Sequence, residues 1–306
     1  MARAVVQISH LQTNFGKFQA LKDMTFDVHS GEGFGFIGPD GAGKSPTIRA
    51  LLGILKTNGG QATIFGQDVW KDAVAIHQRI AYVPGDVYLW PNLSGGEAID
   101  LFLKLSGQKH SARTDALIKF FDLDVKKKCR SYSKGNRQKV ALIATFSTAA
   151  DLYIFDEPTS GLDPLMEEIF QHQVLQLKEA GKSVLLSSHI LSEVERMCDR
   201  IGIIRAGEIV ETGSLADMRK LSRTNITVQT TDALDDIAQL PTVHGFQAAA
   251  KVANKASFAV DSEALGTIMT TLSAKHIISL QSTPPTLEDL FMRYYNQEGA
   301  DGNAQE

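Results

Sequence analysis

Gly38-Pro39-Asp40-Gly41-Ala42-Gly43-Lys44-Ser45 decides the reading of this chain, because its spacing fits a phosphate-binding loop with no residue missing. Glycines at these positions let successive backbone N–H groups turn inward and form an anion nest at a helix N-terminus. Lys44 reaches the β- and γ-phosphates in such a loop, and the Ser45 hydroxyl serves the bridging Mg²⁺. The flanks suit the motif: Phe34-Gly35-Phe36-Ile37 reads as a short buried strand, and Ile48 to Ile54 as an apolar helix. A merely structural glycine turn would not need that context. Pro46 departs from the pattern, since it has no N–H where the first helical turn should aim donors at phosphate. Proline is sterically tolerated there, so weakened rather than abolished ATP binding is expected, with the Thr47 hydroxyl as a compensating donor.

At 306 residues, with 43% hydrophobic and 22% charged residues, the composition is that of a globular protein large enough for one α/β domain and a smaller appendage. A net charge of −4 argues against a nucleic-acid surface, and Lys126-Lys127-Lys128 reads as a solvated run. No stretch of spanning length and no apolar leader is read, and the two cysteines lack metal-ligand spacing, so a cytoplasmic chain is expected.

Outward from the loop, residues 4–8 and 24–28 read as strands on the N-terminal side. Residues 63–65 and 80–84 follow as strands, and a helical insertion occupies about 92–148. Leu152-Tyr153-Ile154-Phe155 and 183–188 are short apolar strands of a parallel sheet buried on both faces, and 201–204 with 208–210 flank a hairpin turn. Residues 223–306 read as a small α+β unit: a strand at 226–228, a helix near 233–240, a hairpin around 252–260, a helix from Glu263 and a last helix over 286–295. Disorder is expected only after Asn296.

Asp156 and Glu157 stand at the end of a buried strand, where α/β sheets place ligand sites. An aspartate there can hold Mg²⁺ and the adjacent glutamate can activate the attacking water.

The run Leu152 to Glu157, followed by Pro158-Thr159-Ser160-Gly161-Leu162-Asp163, resembles the Walker B and D-loop of ABC transporter ATP-binding subunits. Ser133-Lys134-Gly135-Asn136-Arg137-Gln138 resembles the signature motif in a form seen among drug- and polyketide-type exporters, His189 the switch histidine, and Phe15 the aromatic that stacks on adenine. The resemblance runs from about Ile8 to Gly213. It implies an α/β P-loop ATPase core with an antiparallel β subdomain and a helical insertion, spanning 1–222, plus the C-terminal accessory domain. It also implies ATP and Mg²⁺ as cofactors, Glu157 and His189 as catalytic residues, and Asp156 with Ser45 at the metal. Phe15, the stretch 38–47, Ser133, Gly135 and Asp163 are then the nucleotide contacts, some made to a second copy. The family's glutamine after the 80–83 strand is missing; Gly85-Asp86 stands there, and Asp86 is the expected substitute ligand.

Leu93-Ser94-Gly95-Gly96-Glu97 looks closer to the family's signature consensus but lies too early, and reads as a helix-capping turn. The implied function is an ATPase that drives a separate membrane permease as a homodimer, peripheral on the inner face of the membrane. The other reading is a soluble regulatory ATPase acting as an ATP-gated dimer on a macromolecule; a P-loop kinase or GTPase does not account for the signature, D-loop and switch histidine in series.

Overall fold

The computed structural model describes residues 3–220, 223–249 and 252–283. The chain divides into two compact units, 1–212 and 213–306.

In the first unit, β1 (Ala4–Phe15) and β2 (Phe18–His29) form a long antiparallel hairpin. Its alternation sends Val6, Ile8, Leu11 and Thr13 inward. Next come β3 (Gly33–Ile37), α1 (Lys44–Leu51), β4 (Gly59–Ile64), β5 (Gln67–Asp68), α2 (Ala73–His77) and β6 (Ile80–Val83). The insertion supplies α3 (Gly95–Leu105), α4 (Ala112–Phe120) and α5 (Lys134–Ser147). The chain continues through β7 (Leu152–Asp156), α6 (Pro164–Glu179), β8 (Ser183–Ser188), α7 (Leu191–Met197), β9 (Arg200–Arg205) and β10 (Glu208–Ser214).

These strands make a ten-stranded sheet in the order β5-β4-β1-β2-β10-β9-β3-β8-β7-β6. The segment β9-β3-β8-β7-β6 is parallel, and β3, β7 and β8 are buried at every position, including the polar Ser183, Ser187, Ser188 and Asp156 at their ends. The β1, β2, β4 and β5 part is antiparallel. Stacked Phe26, Phe34 and Phe36 rings, with centroids 5.3 and 5.2 Å apart, fill the core where the two parts meet. Phe146 of α5 packs on Phe155 of β7 at 5.6 Å, and Phe170 of α6 meets Phe155 edge-on at 5.2 Å, which seats the insertion on the parallel sheet.

Register places the site. Ile37 pairs with Ser188, and Asp156 with Ser187, so the carboxyl ends of β3, β8 and β7 lie side by side. The loops that leave them, carrying the phosphate loop, His189 and Glu157, are therefore neighbours although they are far apart in sequence.

The second unit holds α8 (Leu215–Lys220), β11 (Arg223–Thr230), α9 (Asp235–Ala238), β12 (Val243–Ala248), β13 (Lys255–Asp261), α10 (Leu265–Ser273) and β14 (Ile277–Thr283). Its antiparallel sheet, in the order β12-β13-β11-β14, buries Ile226, Val228, Phe258 and Val260 against Ile268 and Leu272. The hairpin expected around 252–260 is displaced: Val243–Ala248 pairs with Lys255–Asp261, and the return strand alone falls in that window. The expected helix over 286–295 and the tail after Asn296 lie outside the described residues.

Candidate functional site

The loop after β3 is shaped by two kinds of glycine. Gly41 and Gly43 have φ of 78° and 115°, the left-handed region in which a side chain is strained. Gly38 has ordinary backbone, but a Cβ there would lie 2.5 Å from the Ile204 carbonyl oxygen, so the start of the loop has room only for glycine. Lys44, 5% exposed, donates to the Gly38 and Pro39 carbonyls at 2.6 and 3.2 Å, and its ammonium lies 3.1 Å from Glu157 Oε1. Asp40 is exposed, Ala42 is buried with its N–H on Pro39 O at 3.2 Å, and Ser45 is half-buried.

Pro46 is the third residue of α1, where a missing N–H breaks no intrahelical bond. The expectation that Thr47 compensates for it is not met. Thr47 is fully buried, and both its hydroxyl and its N–H donate to Gly43 O, at 2.8 and 3.0 Å, so this side chain closes the helix turn and does not face the loop.

Across the strand ends, the buried Asp156 carboxylate accepts the Ser187 hydroxyl at 2.6 Å. The Glu157 N–H donates to Ser187 O at 3.1 Å, and Glu157 takes a left-handed backbone, φ 49°. Such a conformation is costly for a side chain with a Cβ and recurs at functional turns. It aims the carboxylate between Lys44 and His189: Oε2 lies 2.5 Å from His189 Nδ1, whereas the buried Oε1 accepts no well-aligned hydrogen bond among the described residues. Burial, with the Asp156 charge second, pushes the nearby Tyr82 hydroxyl up to about 12. An ammonium, a serine hydroxyl, two carboxylates and an imidazole thus converge on one open loop. The open space above Gly41, with the Lys44 ammonium and the Asp156 carboxylate beside it, fits a polyphosphate with its cation, which Lys44, Ser45 and Asp156 would hold.

Other expected residues stand elsewhere. Asp86, expected as the substitute metal ligand, has an exposed carboxylate that pairs with Lys134 Nζ at 3.5 Å. Gly85 is the residue that approaches, since a Cβ on it would lie 3.1 Å from Asp156 O. The Asp163 carboxylate caps α6 by accepting the Met166 N–H at 3.1 Å. Phe15 ends β1 opposite Phe18, and both rings are exposed.

Ser133 caps α5, accepting the Asn136 N–H at 3.2 Å. A Cβ on Gly135 would lie 2.4 Å from Gly161 O, so α5 begins in direct contact with the turn after Glu157. Lys134 Nζ donates to Ser160 at 2.8 Å and the buried Gln138 amide to Pro158 O at 2.9 Å, reinforcing that seam. Ser187 does not stand out in the sequence, where a serine at the end of a buried strand is the available signal, and Gln138, quoted with the signature motif, gains its bond to Pro158 O only from the fold. Leu93 to Glu97 is a capping turn as expected: Ser94 caps α3, and Glu97 returns a bond to the Ser94 N–H at 2.6 Å.

A phosphate loop, an acidic strand end and a helical insertion on one sheet define a P-loop nucleotide-binding ATPase. Comparison with known proteins is specific. The ABC transporter family matches residues 21–160, and the family described as ATP-binding protein DrrA1-3-like, C-terminal domain, matches 213–295. The linearmycin resistance ATP-binding protein LnrL of Bacillus subtilis (strain 168) is 30% identical over 306 residues, covering 94% of this chain and 97% of the relative. The uncharacterized ABC transporter ATP-binding protein all4389 of Nostoc sp. is 38% identical over 209 residues, 66% of this chain but 62% of that protein. A solved ATP-binding subunit of an ABC transporter superposes with a TM-score of 0.66 at 31% identity, covering 71% of this chain and 92% of that one. The chain belongs to the ATP-binding proteins of ABC transporters, and it is an ATPase of that family.

Proposed function

We propose that this chain powers the export of a drug-like or other small molecule through a separate permease, as a Mg²⁺-dependent homodimer. The observation that carries the coupling is a groove of about 480 Å³ between the sheet edge and the helical insertion, in which Tyr82, Val87, Tyr88, Phe102 and Leu105 stand beside polar His77, Ser106, Thr145 and Thr148. Tyr88 is 88% exposed and Leu105 71%, which is unusual for side chains of this size without a partner. Among the described residues no helix is long and apolar enough to cross a membrane, so the groove is read as the seat of a cytosolic segment of the permease. The name of LnrL supports a drug-type cargo, and export follows that likeness.

In this reading Lys44 holds the β- and γ-phosphates, and Ser45 and Asp156 hold Mg²⁺, which supplies charge neutralisation of the polyphosphate. Glu157 orients and deprotonates the attacking water, and His189, bonded to Glu157, offers its other ring nitrogen to the γ-phosphate. Ser133, Gly135 and the α5 N-terminus face the γ-phosphate of a second copy. Phe15 stacks on adenine. Residues 1–222 form the ATP-binding domain, and 223–306 an accessory domain that supports dimerisation or regulation.

Fractionation of the cells that make this protein tests the coupling. The chain should sediment with membranes and be removed by alkaline wash, and Leu105→Asp should release it into the supernatant. A wild-type chain found wholly in the supernatant would point instead to a soluble regulatory ATPase.

A further inference from the structure

Glu193 is a buried carboxyl that the site described above does not use. It lies in the first turn of α7 and is 3% exposed. Its Oε1 has no hydrogen-bond partner among the described residues, and its charged neighbours are the like charges of Glu167 and Glu157. Burial, the largest influence, pushes its carboxyl above the ordinary range. A leucine would fill this volume without the cost of desolvating an acid beside two others. An accepting oxygen here therefore has a task other than filling space.

Its contacts indicate the task. Oε2 accepts the Ser188 hydroxyl at 3.0 Å, and the serine oxygen, its proton so directed, accepts the Ile190 N–H at 2.9 Å. These two bonds close the turn that carries His189. Thr159, buried in the turn that follows Glu157, lies near enough to the same carboxyl to offset part of the effect of burial on it. One side chain beneath the site thus bonds to the turn that carries His189 and lies beside the turn that follows Glu157.

We infer that Glu193 is a positioning residue that clamps these two turns, so that the Glu157 carboxylate and the His189 imidazole are already aligned before nucleotide arrives. The inference rests on the reading of Glu157 and His189 as the hydrolytic pair. It does not make Glu193 a catalytic residue, since it acts through Ser188 and the turn that carries His189.

The test uses the full-length chain and two readouts. In nucleotide-free protein, the imidazole ¹⁵N signals of His189 should move in Glu193→Leu and stay in place in Glu193→Gln, whose amide oxygen still accepts from Ser188. In steady-state ATP hydrolysis, Glu193→Leu should lower kcat by roughly ten- to a hundredfold, as misplacement of a reacting group does, with KM for ATP within about threefold of wild type. Glu193→Gln should restore kcat. Ser188→Ala should reproduce the loss, and the double variant should be no worse than either single one, because both act through one link. This second variant also serves if Glu193→Leu does not fold. Unmoved His189 signals in Glu193→Leu and Ser188→Ala, or a loss seen only as raised KM, would overturn the positioning role. Full activity in Glu157→Gln would instead overturn the reading of the pair, and the nucleotide-free spectra would still judge the clamp.

Discussion

Pro46 is the residue whose effect is most directly measurable. It removes one backbone donor from the first turn of α1, and the Thr47 hydroxyl is committed to Gly43 O at 2.8 Å and replaces nothing. A hydrogen bond to a charged group contributes about 1.5–3 kcal/mol, so Pro46→Thr should tighten ATP binding by roughly ten- to a hundredfold. Titration calorimetry on wild type and variant decides it; equal affinities would mean that this donor never reached phosphate. Glu193 gives a pH prediction. Its carboxyl is raised above 4.5 by burial, so at pH below 4.5 folded and unfolded forms are both protonated and carry no penalty. As pH rises past 4.5 the unfolded chain ionises first, and folding loses stability until the folded carboxyl ionises too. Glu193→Gln, neutral throughout, should therefore match wild type in thermal unfolding near pH 4 and melt at a higher temperature at pH 7. A constant difference across that range would refute the burial account.

At the scale of elements, the α3 cap separates folding from turnover. Ser94→Ala removes the oxygen that accepts the Glu97 N–H at 3.2 Å, and cap losses of this kind cost about 0.5–2 kcal/mol. A lower melting temperature with unchanged kcat per folded molecule is expected; a turnover defect in fully folded protein would return this turn to the ATP site. Much at this scale is legible in the sequence. Strands buried on both faces, such as residues 152–156 and 183–188, announce themselves by the short apolar runs 152–155 and 184–186 at their centres, and the phosphate loop fixes the strand and helix around it. The strand Ile277–Thr283 was not anticipated, because every one of its residues is exposed and the burial alternation that marks a strand is absent. The site is legible in part. Lys44, Asp156, Glu157 and His189 come together, but the Ser187–Asp156 bond and the Glu193–Ser188 bond depend on strand register and on a helix turn that no local motif encodes. The pairing of Asp86 with Lys134 has a related origin: the packing of α5 brings Lys134 near, and no local motif encodes that.

For the whole molecule, the α5 N-terminus is held against the turn after Glu157 by Gly135, Lys134 and Gln138, while Ser133 remains exposed, and the proposed dimer would close on this surface. Glu157→Gln protein should therefore shift from monomer to dimer on size exclusion when Mg-ATP is added. A persistent monomer that becomes a dimer on adding Pro46→Thr would trace the defect to nucleotide affinity, and one that does not would mean that closure requires the permease.

The sheet itself has a seam. Between β10 and β2 the paired register is the single match of Glu208 with Asp23, while Lys22 N–H reaches Gly207 O at 2.8 Å and Gly207 N–H reaches Ala42 O at 2.8 Å. The stitch joining the antiparallel part to the parallel part thus passes through the backbone of the phosphate loop. Ala42 thereby ties the phosphate loop to the strand junction, so the backbone shaped to cradle phosphate is also backbone that holds the two parts of the sheet together.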